Sequence, residues 1–523
     1  MRRPSFYAHR PSSVELIETH ISWVFLAGEL VYKVKKPVVF AFLDYGTSER
    51  RRWLCHEEVR LNSRLAPSLY LGVRGLAVHR GRWTLTDSDD PRAVEHAVEM
   101  RRFDEERTLA RLIDRKEATS AQVAAVGRRL AAFHRVAPRL PAADRGTVAT
   151  ARACDENFES LLSFAGSVLP ARELAAAQRF NSAFLLARRE QLDGRAEAGL
   201  VRDCHGDLRA EHVLLLEEGV EVFDCVEFAP ELREVDTAAD LAFLVMDLEQ
   251  RDRPDLARDL VSAYRTAGGD TGDDALLDFF AAYRAWVRAK VTCLRYAELE
   301  DKDPRRAAAE EEARGLAAVG RRFAWRARGP TLLVVCGGTA SGKTHLATRL
   351  AVVSGLAHHN SDVVRKELLG LDPTDRAPTE AYGPELNART YAELGKRAAA
   401  ALGTGGAVVD ATFRHRTDRT HFEEELGQVP AAPVFVECRA PREVLVQRAG
   451  ERLNASDRIS DAGPALVARQ QHEFAPLDEI PAARHLVVRT DRAVEAIVDD
   501  VEALLDARLG SDERARADPP RAG

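Results

Sequence analysis

Thr331-Leu-Leu-Val-Val-Cys336-Gly337-Gly338-Thr339-Ala340-Ser341-Gly342-Lys343-Thr344 is the stretch on which the fold of this chain turns. Residues 331–336 read as a buried-type strand, and residues 337–344 satisfy G-x-x-x-x-G-K-[ST] in full. Glycines at these positions permit a turn whose backbone N–H groups converge at a helix N-terminus, a ready cradle for multiply charged phosphate. Lys343 is placed to reach the outer phosphates, and the Thr344 hydroxyl suits Mg²⁺. Gly337, Gly338, Thr339, Ala340, Ser341, Gly342, Lys343 and Thr344 are therefore candidate nucleotide-binding residues. Lys343 is a catalytic candidate as well, and Thr344 a metal-ligand candidate.

Working downstream, the next helix carries Leu346, Leu350 and Val353 on one face. His359-Asn-Ser-Asp362-Val-Val-Arg365-Lys366 follows at the end of the next expected strand. A carboxylate there, beside the phosphate loop, is well placed to orient a nucleophile. The competing reading, a helix cap followed by a solvated arginine, stays open. Asp410 closes the apolar strand 407–410 and is a candidate ligand for metal or acceptor. Arg448 and Arg452 share a helix face, as nucleotide-binding groups or as a solvated charge row. Strands at 407–410 and 433–437 alternate with helices, which predicts a three-layer α/β fold around a parallel sheet. No Asn-Lys-x-Asp guanine motif occurs. This region resembles the small P-loop kinases of the polynucleotide-kinase, gluconate-kinase and zeta-toxin type. The resemblance implies that Asp362 accepts the proton of the attacking hydroxyl and Arg365 holds the acceptor. It also implies that Arg448 and Arg452 belong to a helical lid over the γ-phosphate.

Upstream stands a second, unrelated phosphate-handling pattern. Val201-Arg-Asp-Cys-His205-Gly206-Asp207-Leu-Arg-Ala-Glu-His212 is followed, after two short strands at 213–216 and 220–223, by Asp224. Residues 23–43 predict a β-hairpin around Gly28-Glu29, and 47–66 a helix capped by Thr47 or Ser48. Strands follow at 69–86 and 94–100, then mostly helix from 105 to 200 and again from 237 to 326. This region resembles the aminoglycoside-phosphotransferase/choline-kinase branch of the kinase-like fold, an α+β bilobal architecture. The resemblance implies that Asp207 orients or deprotonates the acceptor hydroxyl and that Asp224 chelates Mg²⁺. Lys33 or Lys35 would contact the α- and β-phosphates, paired with Glu58 or Glu57, and the strand ending at Met100 would meet adenine. Asp240 matches a structural, non-catalytic aspartate. His212 departs from the pattern, standing where a metal-binding asparagine is expected. As an imidazole ligand it would suit Mn²⁺ or another borderline ion better than Mg²⁺.

The whole chain fits two such units. At 523 residues it exceeds one core, and the charged stretch 301–329, ending in Gly329-Pro330, reads as the linker. The expected domains are 1–326 (small lobe about 1–100, helical lobe about 101–326) and 329–510, with 511–523 a disordered tail. A net charge of −7 argues against a dedicated nucleic-acid-binding protein. Cysteines 55, 154, 204, 225, 293, 336 and 438 form no C-x-x-C pair and read as reduced, mostly buried thiols. Met1-Arg-Arg-Pro-Ser-Phe-Tyr lacks an apolar region behind its basic residues, and no apolar run reaches membrane length, so a cytoplasmic protein without a membrane partner is expected. The combination resembles a bacterial family of tandem phosphotransferase/ATP-binding proteins. It implies a kinase of the alcohol-acceptor class using ATP and Mg²⁺ at two sites on small hydroxylated molecules. The alternatives are a regulatory first domain with a catalytic second, or an ATP-sensing interaction or toxin-like factor.

Overall fold

The structure is a computed structural model and describes residues 1–40, 43–79, 81–375, 377–429, 431–453 and 474–517. The chain divides into two compact units, Met1–Ala153 with Arg189–Arg288, and Cys154–Arg188 with Ala289–Gly523.

The first unit opens on an antiparallel sheet of β1 (Glu15–Glu18), β2 (Ser22–Ala27), β3 (Leu30–Lys35), β4 (Tyr70–His79), β5 (Arg82–Asp87) and β6 (Ala93–Arg101). The order is β1-β2-β3-β6-β4-β5. The expected hairpin is β2–β3, turned at Gly28, whose φ of +65° explains the glycine. Its second strand stops at Lys35, shortly before Pro37, which has no N–H for a ladder. Helix α1 (Ser48–Asn62) follows, N-capped by Thr47, which accepts the Arg50 N–H at 3.2 Å. Val31, Cys55, Leu69, Tyr70, Val98 and Met100 form the apolar core between α1 and the sheet.

The helical part is built on the tightly packed helices Ser120–Val136 and Pro254–Thr266. A Cβ on Gly127 would stand 2.7 Å from Leu260 O, so only glycine allows that approach. Two small ladders frame the His205 segment. They are β7 (Val201–Asp203) with β10 (Glu234–Asp236), and β8 (Val213–Leu216) with β9 (Gly219–Val222). Helix α2 (Thr237–Gln250) runs on from β10 with nearly every side chain buried.

The second unit is a five-stranded parallel sheet ordered β12-β13-β11-β14-β15. The strands are β11 (Thr331–Cys336), β12 (Ala357–Asn360), β13 (Gly406–Asp410), β14 (Val434–Arg439) and β15 (His485–Arg489). The connecting helices are α3 (Lys343–Ser354), α4 (Ser361–Leu368), α5 (Pro384–Leu402), α6 (Arg416–Leu426), α7 (Arg442–Leu453) and α8 (Val494–Ala517). Leu332 and Val334 of β11 enter one core with Leu394 and Phe422, whereas Leu333 and Val335 enter the other with Leu346, Leu350 and Val498. A strand apolar on both faces belongs at the centre of a three-layer sheet.

Three boundary expectations change. Helices Ala171–Ala187 and Pro304–Ala327 belong to the second unit rather than to a domain ending at 326. Arg179 and Arg328 bind Asp506, and Arg321 and Trp325 bind Glu502, which ties both helices to α8. The supposed disordered tail continues α8 as far as Ala517. Residues 511–517 contain no helix breaker, and prolines first occur at 519 and 520. Residues 518–523 lie outside the described part. Asp362 is not at a strand end but in the first turn of α4.

Candidate functional site

In the first unit, strand alternation turns Lys33 and Lys35 to the same face of β3, and both reach Glu58 of α1. Their other partners separate them. Lys33 Nζ lies 2.9 Å from Glu58 Oε1 and 3.1 Å from Asp224 Oδ1. Lys35, 1% exposed, bonds Glu58 Oε2 at 2.6 Å, the Tyr45 hydroxyl at 3.3 Å and Glu227. Glu58 is fully buried, and Glu57 instead pairs with Arg60. Lys33 is thus the lysine aimed at Asp224, and Lys35 is a buried strut behind Glu58. Met100 does not stand open to a ligand. It lies within the ladder opposite Val31 and Tyr70, with its side chain in the apolar core.

The loop carrying Asp207 is hung from one buried carboxylate. Asp240, at the start of α2, accepts the N–H of His205 at 3.1 Å, the N–H of Gly206 at 2.8 Å and His134 Nε2 at 3.0 Å. Three donors outweigh burial and hold its pKa well below the usual carboxylate range. Gly206 has φ +88°, and a Cβ there would meet Leu232 O at 3.0 Å. His205 donates from Nε2 to Phe223 O at 3.0 Å, and its Nδ1 accepts the Asp207 N–H at 3.3 Å. This neutral tautomer agrees with burial lowering its pKa from 6.5 to about 4.

Arg209 forks onto Asp207 at 2.9 and 3.0 Å. Burial works against the Asp207 charge, but Arg209 and then His212 prevail and bring its pKa to about 2. His212 Nδ1 faces Asp207 O at 2.8 Å. A carbonyl only accepts, so Nδ1 carries a hydrogen, while Nε2 lies 3.5 Å from Arg209 Nη2 and 3.7 Å from Asp224 Oδ2. Asp224 has φ +64° and a pKa held well below its usual value, chiefly by Lys33. The result is one continuous array of Glu58, Lys33, Asp224, His212 and Asp207. The oxygen and nitrogen donors of Asp224 and His212 fit a divalent cation.

In the second unit the loop leaves the central strand. Gly337 has φ +136°, and a Cβ there would lie 2.5 Å from Cys438 O, whereas one on Gly338 would meet nothing within 4 Å. Gly342, φ +87°, is the N-cap of α3 and offers no side-chain cap, so the helix's first N–H groups are left for an anion. Lys343 Nζ folds back to Gly338 O at 3.1 Å, and Thr344 stands half-buried on the first turn. Thr339 and Ser341 are buried in the loop wall, and Ala340 holds a φ of +62°. These features fit a triphosphate.

Asp410 ends β13 beside Val335 and Asn360; it is 1% exposed and accepts from Asn360 Nδ2 at 2.6 Å. Asn360 is also the cap of α4, accepting the N–H groups of Asp362 and Val363. Asp362 therefore does not cap the helix, and Arg365 is not solvated. Arg365 is 5% exposed, pairs with Asp362 Oδ1 at 2.8 Å and Asn387 Oδ1 at 3.0 Å, and lies over the Tyr382 ring. Arg448 donates to Thr490 O at 2.7 Å, close to Gly342. The Arg452 side chain lies outside the described residues.

Several contributing residues carry no signal of their own in the sequence. Arg209 could have been suspected from its place two residues after Asp207, and Glu227 as a lone carboxylate among Cys225, Val226 and Phe228. Tyr45 and Thr490 act through partners distant in the chain, as Asn360 does through Asp410 and Asn387 through Arg365. All seven cysteines are free and buried, as expected. No helix among the described residues is long and apolar enough to cross a membrane.

Residues 332–477 match a family described as an AAA domain. Among solved structures, the chain is similar to a choline/ethanolamine kinase family protein from Mesorhizobium loti. Identity is 16%, covering 60% of this chain and 90% of that one, with a TM-score of 0.37. It is similar also to a gluconokinase from Sinorhizobium meliloti 1021, with 22% identity over 36% of this chain and 98% of that one and a TM-score of 0.26. The protein Rv2004c of Mycobacterium tuberculosis (strain ATCC 25618 / H37Rv) is 32% identical over 465 residues, 87% of this chain and 90% of its own. Mb2027c of Mycobacterium bovis matches to the same extent. With that identity sustained across both units, the chain belongs to the family of these uncharacterized mycobacterial proteins.

Proposed function

We propose that the protein is an ATP-dependent phosphotransferase with two nucleotide sites, each serving the hydroxyl of a small molecule. The observation that carries this reading is that each compact unit sets a lysine where phosphate would bind: Lys33 between Glu58 and Asp224, and Lys343 on the 337–344 loop, folded back to Gly338 O. Bound Mg·ATP supplies the γ-phosphoryl group. In the first unit Lys33, fixed by Glu58, would hold the α- and β-phosphates, and Asp224 with His212 would hold the cation. Asp207 orients the acceptor hydroxyl. A carboxylate with a pKa of about 2 is a weak base, but a loose phosphoryl-transfer transition state asks mainly for positioning and late proton acceptance. In the second unit residues 337–344 would hold the phosphates and Thr344 and Asp410 the cation, while Arg448 adds positive charge. Asp362 takes the hydroxyl proton and Arg365 steadies the acceptor.

One observation favours a second reading, in which the first unit binds nucleotide as a regulatory module: Arg209 occupies both carboxylate oxygens of Asp207. Transfer of labelled γ-phosphate to sugars, nucleosides and aminoglycosides, measured with the full chain, separates the two. Asp207→Asn and Asp362→Asn should each lower a different set of transfers by about 10² or more. Full turnover in Asp362→Asn contradicts the proposal, and transfer insensitive to Asp207→Asn establishes the regulatory reading.

A further inference from the structure

Thr490, the first residue beyond β15, stands against the 337–344 loop of the second unit. Its N–H donates to Arg439 O at 2.9 Å, which prolongs the β14–β15 ladder and fixes the backbone there. Its hydroxyl oxygen lies 2.6 Å from Ser341 O, 3.3 Å from Arg439 O and 3.2 Å from Arg448 Nη1. A hydroxyl has one hydrogen to give and the shortest bond takes it, so Thr490 donates to Ser341 O and accepts from Arg448. Arg448 Nη2 also donates to Thr490 O at 2.7 Å, so α7 grips this residue at two points. Both acceptors are neutral and leave the guanidinium charge uncancelled. The contact is close: a Cβ on Gly342 would lie 3.3 Å from both Arg448 Nη1 and Thr490 Cβ. A trans peptide unit is planar, so the Gly342 N–H points the opposite way from Ser341 O. Tying Ser341 O to Thr490 therefore turns the Gly342 N–H away from Thr490.

We propose that Thr490 is a positioning residue of the second nucleotide site, its hydroxyl relaying Arg448 to Ser341 O and so setting the Gly342 N–H and the Arg448 guanidinium for phosphate. The inference rests on reading residues 337–344 as a nucleotide site. The loop has reason to need such a tether, because Ala340 and Gly342 both hold positive φ, +62° and +87°, and α3 has no side-chain cap to fix its start. The Ser341 hydroxyl makes no hydrogen bond among the described residues, so it does not replace Thr490 in this role. Ser341 and Thr490 are 3% and 8% exposed, which leaves little water to satisfy the carbonyl once the hydroxyl is gone. The peptide would then turn, and Arg448 would keep only one of its two holds.

The test titrates the magnesium complex of a non-hydrolysable ATP analogue into the full chain carrying Lys33→Ala, which leaves the second unit to bind it. Three derivatives are compared: Thr490→Val keeps the volume, Thr490→Ala cannot crowd its neighbours, and Thr490→Ser keeps the hydroxyl. Affinity should weaken about tenfold or more in the valine and alanine variants and return to within about threefold of the parent in the serine variant. In an Arg448→Gln background the loss caused by Thr490→Val should be smaller by about threefold or more, as a shared relay requires. Urea unfolding without nucleotide certifies the fold of each variant. Unchanged affinity in either folded hydroxyl-free variant, serine binding as weakly as valine, or equal losses with and without Arg448 overturns the inference. Failure of the analogue to bind the folded Lys33→Ala chain instead removes the reading of residues 337–344 on which it rests.

Discussion

His205 illustrates how one residue couples the loop's geometry to solution conditions. Its neutral ring bridges Phe223 O and the Asp207 N–H, with Asp240 and His212 as its charged and titratable neighbours. The folded pKa of about 4 lies below the ordinary 6.5, so the unfolded chain binds the extra proton between these values. Stability therefore falls as pH drops from 6.5 towards 4, by about 2 kcal/mol between pH 7 and pH 5. Denaturant unfolding at the two pH values should show that loss, and His205→Gln, which keeps a donor for Phe223 O, should shed most of it. An undiminished slope in the variant assigns the effect elsewhere. His212 gives a second prediction, because its Nε2 lies 3.7 Å from Asp224 Oδ2. Nucleotide affinity of the Lys343→Ala chain should favour Mn²⁺ over Mg²⁺, and His212→Asn should shift the preference towards Mg²⁺. Identical preferences would exclude ligation. His205, Asp207, His212 and Asp224 were legible as residues, since their spacing is local. The Arg209 clamp was not, because a fork onto Asp207 depends on side-chain rotamers that spacing leaves free.

At the scale of elements, β3 shows what alternation can and cannot say. It sets Lys33 and Lys35 on one face and leaves them equivalent; only their surroundings distinguish an 18% exposed Lys33 side chain from a Lys35 at 1%. Removing Lys35 leaves Glu58, Glu227 and Tyr45 buried around a missing cation. Lys35→Met should cost about 3 kcal/mol in denaturant unfolding, and adding Glu227→Gln should recover part of it. Strictly additive losses would show that the network is not coupled. The hairpin, α1 and the central strand β11 were readable because their patterns are long or fully apolar. The short strand β7 was not, since Val201 pairs with Asp236 and Asp203 with Glu234, across the whole His205 loop. Nor could periodicity assign the cap of α4, where Asp362 and Asn360 are both cap-forming residues and the choice rests on Asn360 also reaching Asp410.

For the whole molecule, the sequence-level division at residues 326–329 followed the linker chemistry of Gly329-Pro330, whereas the compact units follow burial. The helices Ala171–Ala187 and Pro304–Ala327 are claimed by α8 through Arg179, Arg321, Trp325 and Arg328. Such long-range ion pairs leave no local trace, so the composition of each unit was less legible than its local sequence motifs. The proposed function puts one nucleotide in each unit, hence two per chain. Isothermal titration of the full chain with the magnesium complex of a non-hydrolysable ATP analogue tests this most directly, comparing the unaltered protein with Lys33→Ala, Lys343→Ala and the double variant. The account predicts two bound nucleotides, one in each single variant and none in the double variant. A single nucleotide in the unaltered chain, or two surviving in Lys343→Ala, would contradict it.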